Sequence, residues 1–163
     1  MRTLIRDVMT QDVVTLDPNM TLTELDRVLV AENVSGGPVV EDGVVVGVVS
    51  RTDVIRVLYD EQMAAANVSG FYGSPYPIPI PALEHLAQDS RRIADHMTTM
   101  QVSEIMSRNV KNVSPNDEVE AVARLMAAAG YHRVPVLDGT NLVGIVTSLD
   151  VVRHAGEVGF REA

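Results

Sequence analysis

The chain has 163 residues, 46% apolar and 21% charged, which supplies a sizeable core and argues against a disordered class. Its formal net charge of −9 argues against nucleic-acid binding, since a phosphate backbone calls for a basic face. Cysteine is absent, which removes disulfides, thiolate metal sites and thiol nucleophiles together and suits a reducing cytoplasm.

The opening Met1 to Asp7 meets charge before an apolar stretch develops, so it does not read as a secretory signal. No apolar run approaches the roughly 18 to 20 residues of a spanning helix. The expectation is a cytoplasmic protein with no membrane and no nucleic-acid partner.

In chain order, Val13 to Leu16 reads as a short strand closed by Asp17-Pro18. Thr21 and Glu24 then form a capping box, and Leu22, Leu25 and Leu29 fall on one helical face. Two strands follow, Gly37 to Val40 and Val44 to Ser50, joined by a turn holding Asp42-Gly43, with a further helix near Asp53 to Tyr59.

Residues from about Asp60 to Gln101 differ in composition. Ser74 to Pro81 alternates proline with apolar residues and predicts an extended, polyproline-like stretch. A helix is expected from Ala82, with Leu83, Leu86, Ile93 and Met97 on its apolar face. Tyr76, Ile78 and Ile80 favour docking of this segment as a lid or against a second subunit over a free tether.

From Val102 onward the first pattern returns. The offset is 97, the distance from Asp53 to Asp150, and it holds without a gap. It pairs Met9 with Met106, Pro18 with Pro115, Pro38-Val39 with Pro135-Val136, and Arg56 with Arg153. In this copy the first helix is opened by Asp117 and Glu120 with Val119, Val122 and Met126 apolar. The strands are Arg133 to Leu137 and Leu142 to Thr147, and the last helix lies near Asp150 to Ala155. The fold class is therefore α/β (mixed α+β): two pseudo-symmetric β-α-β-β-α repeats packed through their sheets, with an inserted Pro-rich and helical segment. The domains expected are residues 1–60, 61–101 and 102–163. A cleft between such duplicates is the default place for a ligand.

Each copy ends in Gly-x-x-Ser/Thr-x-x-Asp and opens on Val8-Met9-Thr10 or Ile105-Met106-Ser107. These elements resemble CBS (cystathionine beta-synthase) repeats, and the tandem resembles a CBS pair, or Bateman module, over about two thirds of the chain. The resemblance implies an adenosine-type nucleotide (AMP, ADP or ATP) as a regulatory ligand. In it Asp53 and Asp150 take the ribose hydroxyls, Ser50 and Thr147 lie near the phosphates, and Val14 and Thr15 flank the adenine. His132 and Arg133 would contact phosphate, as a guanidinium fork and an imidazole donor suit. The first copy has Ser35-Gly36-Gly37 at these positions, which predicts one strong and one weak phosphate site; Arg51 could partly compensate.

Ser50-x-x-Asp53 and Thr147-x-x-Asp150 also read as helix N-caps, which would satisfy both residues without a ligand. The scattered His85, His96, His132 and His154 match no catalytic or metal-ligand spacing, so neither an enzyme nor a metal site is expected. The resemblance further suggests a homodimer acting in trans on an effector protein, with no required cofactor. The alternatives are a ligand-free structural or protein-interaction module, or a binder of S-adenosylmethionine or NAD.

Overall fold

The structure, a computed structural model, describes residues 2–59 and 90–159 of the chain. Ser74 to Pro81 and the helix start expected at Ala82 lie outside the described residues. The fold is mixed α/β, with antiparallel strand pairs flanked by helices. Contacts divide it into two compact units: a central one, Val14–Val110, and a terminal one that joins Met1–Val13 to Lys111–Ala163.

In the central unit α1 (Leu22–Ala31) starts at the expected capping box. Thr21 accepts from the Glu24 amide at 3.2 Å, and the Glu24 carboxylate accepts from the Thr21 amide at 2.7 Å. Leu22, Leu25 and Leu29 are fully buried, as the 3.6-residue period requires. Strands β1 (Gly36–Glu41) and β2 (Val44–Ser50) form an antiparallel pair, followed by α2 (Arg51–Tyr59). Helices α3 (Ser90–Thr99) and α4 (Val102–Ile105) complete the unit. Ile93 and Met97 of the expected insert helix thus fall in α3.

In the terminal unit a short 3-10 turn (Ile5–Asp7) precedes α5 (Val119–Ala129), β3 (Arg133–Asp138), β4 (Asn141–Thr147) and α6 (Ser148–Val158). Strands β3 and β4 pair antiparallel with the register of β1 and β2. Here the capping box expected from Asp117 and Glu120 does not form. The N-cap is Glu118, which sits at the position of Thr21 and makes no side-chain cap; Asp117 instead accepts from the Ser114 amide at 2.8 Å.

The strand expected at Val13 to Leu16 reduces to one parallel bridge, Leu16 to Val39. The Leu16 amide donates to the Pro38 carbonyl, and the Val40 amide donates to the Leu16 carbonyl. Extending the ladder back to Val14 would require an N–H on Pro38, and proline has none. Val113 bridges Val136 in the same way, beside Pro135.

The compact units do not follow the sequence repeats, because the repeats exchange their opening segments. Fully buried Val102, from the second opener, lies in the core with Leu16, Leu22, Leu25 and Val39; Ile5, from the first, lies with Val119, Val122, Val134 and Val146. Thr10 pairs with Ile145 through both backbone hydrogen bonds, each 2.9 Å, and Ser107 pairs likewise with Val48. The openers press so closely that a Cβ on Gly144 would stand 2.6 Å from Met9 Sδ and 2.9 Å from the Thr10 carbonyl oxygen. A Cβ on Gly47 would meet Met106 and Ser107 at the same distances. The glycine of each Gly-x-x-Ser/Thr-x-x-Asp motif is thus the seat of the opener's methionine.

Candidate functional site

Each repeat motif ends a strand and starts a helix, and each builds the same local device. In the terminal unit Thr147 closes β4 and caps α6. Its amide and hydroxyl both donate to Asp150 Oδ2, at 2.8 and 2.7 Å, and its Oγ1 accepts from the Asp150 amide at 3.2 Å. Asp150 Oδ1 accepts from Arg153 Nη1 at 3.2 Å. The residue is 6% exposed, so its charge is held by these donors.

His132 and Arg133 stand at the same corner. Arg133 is the register partner of Thr147, and the His132 carbonyl accepts from the Ser148 amide at 2.9 Å. The His132 side chain is exposed and Arg133 half-buried. Burial lowers the Arg133 guanidinium below its ordinary value. The strand end that carries His132 and Arg133 thus lies beside the start of α6, where Thr147 and Asp150 form the cap.

The central unit repeats the cap with Ser35 and Gly36 at the positions of His132 and Arg133. Ser50 is buried; its amide and hydroxyl donate to Asp53 Oδ2 at 2.8 and 3.0 Å, and Arg56 lies 3.9 Å from Oδ1. Gly36 is the register partner of Ser50, and a Cβ there would stand 2.5 Å from the Val49 carbonyl oxygen. Packing thus excludes an arginine at the position of Arg133. Half-buried Val14 lies against β1, its carbonyl oxygen 2.8 Å from a Cβ on Gly37, and the next residue, Thr15, is exposed. Arg51 pairs with Asp26 at 3.5 Å, both side chains well exposed.

Sequence reasoning missed two residues here. Arg153 shares the Asp150 carboxylate, and the equivalence with Arg56 at the 97 offset was the available signal. Lys111 occupies the position of Val14, so the repeat that has His132-Arg133 carries a basic residue where its counterpart has an apolar one. Among the described residues no group of three or more His, Asp or Glu side chains has the placement of a metal site. No described helix is long and apolar enough to cross a membrane.

Comparison with known proteins matches the CBS domain at residues 5–60 and 102–157. The CBS domain-containing protein YhcV of Bacillus subtilis is 31% identical over 147 residues, covering 90% of this chain and 81% of YhcV. The crystal structure of MJ1225 from Methanocaldococcus jannaschii matches with a TM-score of 0.71 at 25% identity, over 94% of this chain and 48% of that one. The chain thus spans about half of that relative. The CBS domain pair of MJ0100, solved in complex with 5′-methylthioadenosine and S-adenosyl-L-methionine, matches with a TM-score of 0.65 at 25% identity, over 98% of this chain and 100% of that one.

Proposed function

Since this chain belongs to the CBS domain family, matched at both repeats, we propose that it is a regulatory module that binds an adenosine nucleotide and signals to a separate effector protein. The observation that carries this reading is the corner of the terminal unit, where a buried carboxylate at a helix start lies beside the strand end that carries His132 and Arg133. The adenosyl ligands of the MJ0100 pair support the ligand class. The proposed role is binding rather than turnover.

In this reading Asp150 accepts from the ribose hydroxyls, and Thr147, His132 and Arg133 hold the phosphates. Of the four acceptor sites on an ionised carboxylate, three are used by Thr147 and Arg153, so a diol must displace Arg153, whose side chain is 61% exposed. Lys111, His132 and Arg133 favour phosphate over the cationic sulfonium of S-adenosylmethionine. Asp53, Ser50, Val14 and Thr15 serve a weaker counterpart, where Gly36 has no room for a cationic side chain. The module works as a cytoplasmic homodimer in this proposal, and exposed Leu125, Leu149 and Val152 supply apolar surface for it.

The competing reading is a ligand-free structural module, favoured by the fact that the caps already occupy both carboxylates. Thermal-shift assays with AMP, ADP, ATP, NAD and S-adenosylmethionine separate the two. A stabilisation by one or more adenine nucleotides supports the sensor, because a ligand specific to the native state raises Tm by mass action. A flat response to all five supports the structural module.

A further inference from the structure

Asp150 uses its two carboxylate oxygens differently. Its side chain is 7% exposed; Oδ2 accepts from the Thr147 amide and hydroxyl, and Oδ1 accepts from Arg153 Nη1 at 3.2 Å. The two bonds to Oδ2 belong to the cap and hold the start of α6. The bond to Oδ1 does not. Arg153 lies one turn further along α6 with its side chain 61% exposed, so the guanidinium can leave the carboxylate for water.

The pairing recurs in the central unit, where Ser50 donates to Asp53 Oδ2 and Arg56 Nη1 stands 3.9 Å from Oδ1. Both repeats therefore set an arginine three residues after the aspartate of the motif, beside the oxygen that the cap does not use. In the terminal unit a guanidinium N–H thus donates where a sugar hydroxyl would donate. An ionised carboxylate offers about four acceptor positions, so the bonds to Asp150 among the described residues leave one on Oδ1. A single hydroxyl can take that position with Arg153 in place, whereas a vicinal diol needs two and must remove the arginine.

We propose that Arg153 is a built-in competitor for the ribose diol. It is a positioning residue that acts through Asp150, lowers the affinity of this corner for a diol, and so sets how far a ribonucleotide is favoured over its 2′-deoxy counterpart. The inference rests on the nucleotide reading given above. A site's apparent affinity falls with the fraction of molecules in the competent form, and an exposed ion pair of this kind lowers it by about twofold to fivefold.

Calorimetry of the full chain with AMP, ADP and ATP, each against its 2′-deoxy counterpart, tests this, because the phosphates are shared and cancel in the ratio. In Arg153→Met, which keeps an unbranched stem and removes the donors, the ratio of ribo to deoxy affinity should rise about twofold to fivefold. In Arg153→Lys, which restores a cationic donor, it should return towards the wild-type value. An unchanged ratio in Arg153→Met, with ribonucleotide binding intact, overturns the inference and leaves the nucleotide reading standing. A fall in the ratio also overturns it, since that would place Arg153 on the ribose itself. An equal rise in both variants would assign the effect to the shape of the side chain and refute a competing donor. If none of the three ribonucleotides binds the wild type or either variant, the nucleotide reading fails and this inference with it.

Discussion

Replacing Asp150 tests the candidate site, and the choice of replacement decides what is learned. The carboxylate closes the capping box of α6 and is the proposed ribose acceptor, so Asp150→Ala removes both. Losing the cap and leaving the Thr147 amide without its acceptor costs about 2 kcal/mol. For a chain of this size that lowers Tm by roughly 4–8 °C. Asp150→Asn keeps one carbonyl oxygen for the Thr147 amide and gives up the charge and the second acceptor. Its cost is about 1 kcal/mol, roughly 2–4 °C. A nucleotide at about 100 times its Kd adds about 2.7 kcal/mol to the wild type, roughly 5–11 °C. Differential scanning fluorimetry with and without ligand reads both effects. The expected outcome is a near-native melt for Asp150→Asn with the ligand-induced shift gone. A full shift in Asp150→Asn would refute the assignment of the carboxylate to the ribose.

Three further outcomes follow from the same geometry. Gly144→Ala and Gly47→Ala should each destabilise by about 1–3 kcal/mol, because the new Cβ meets a backbone oxygen that cannot swing aside; unchanged melts would deny the tight opener contact. Arg133→Ala should weaken a phosphate-bearing nucleotide about tenfold or more while leaving unphosphorylated adenosine unaffected, as calorimetry would show; equal losses for both would remove Arg133 from the phosphate. Glu24 is held below its ordinary value by the hydrogen bonds from Thr21, first backbone and then hydroxyl. Its contribution is therefore present above the unfolded carboxylate pKa and is lost as pH falls through the lowered folded value, so Glu24→Gln should flatten the acid limb of the stability curve; an unaltered limb would contradict this.

The sequence made the duplication legible, and with it the cap that closes each corner. A constant offset exposes paired motifs, and Ser50-Asp53 and Thr147-Asp150 form the same cap because the same local hydrogen bonds are available to both. Local chemistry also explains where the reading slipped. Asp117 looked like a cap, yet Glu118 holds the register of Thr21, and Asp117 had a nearer donor in Ser114. The strand at Val13 to Leu16 failed because its partner strand carries Pro38, a fact that becomes relevant only once the pairing is known.

The exchange of openers was not legible, since either assignment of Ile5 and Val102 gives the same periodicity, and only the long-range pairing decides. It has a consequence for how the chain can be cut. A fragment of residues 1–60 contains one complete repeat by sequence, yet it lacks Val102 and Met106, which lie in the core beside Leu22 and Val49. Burying two such side chains is worth about 3–6 kcal/mol, comparable to the whole stability of a small domain. A fragment of residues 14–110 keeps that cluster entire. Fragment 14–110 should therefore melt cooperatively by circular dichroism, and fragment 1–60 should show no cooperative transition as a monomer. A cooperative, monomeric 1–60 would mean that Ile5 can replace Val102 in its own repeat. The exchange would then be a preference of the full chain rather than a requirement of its cores.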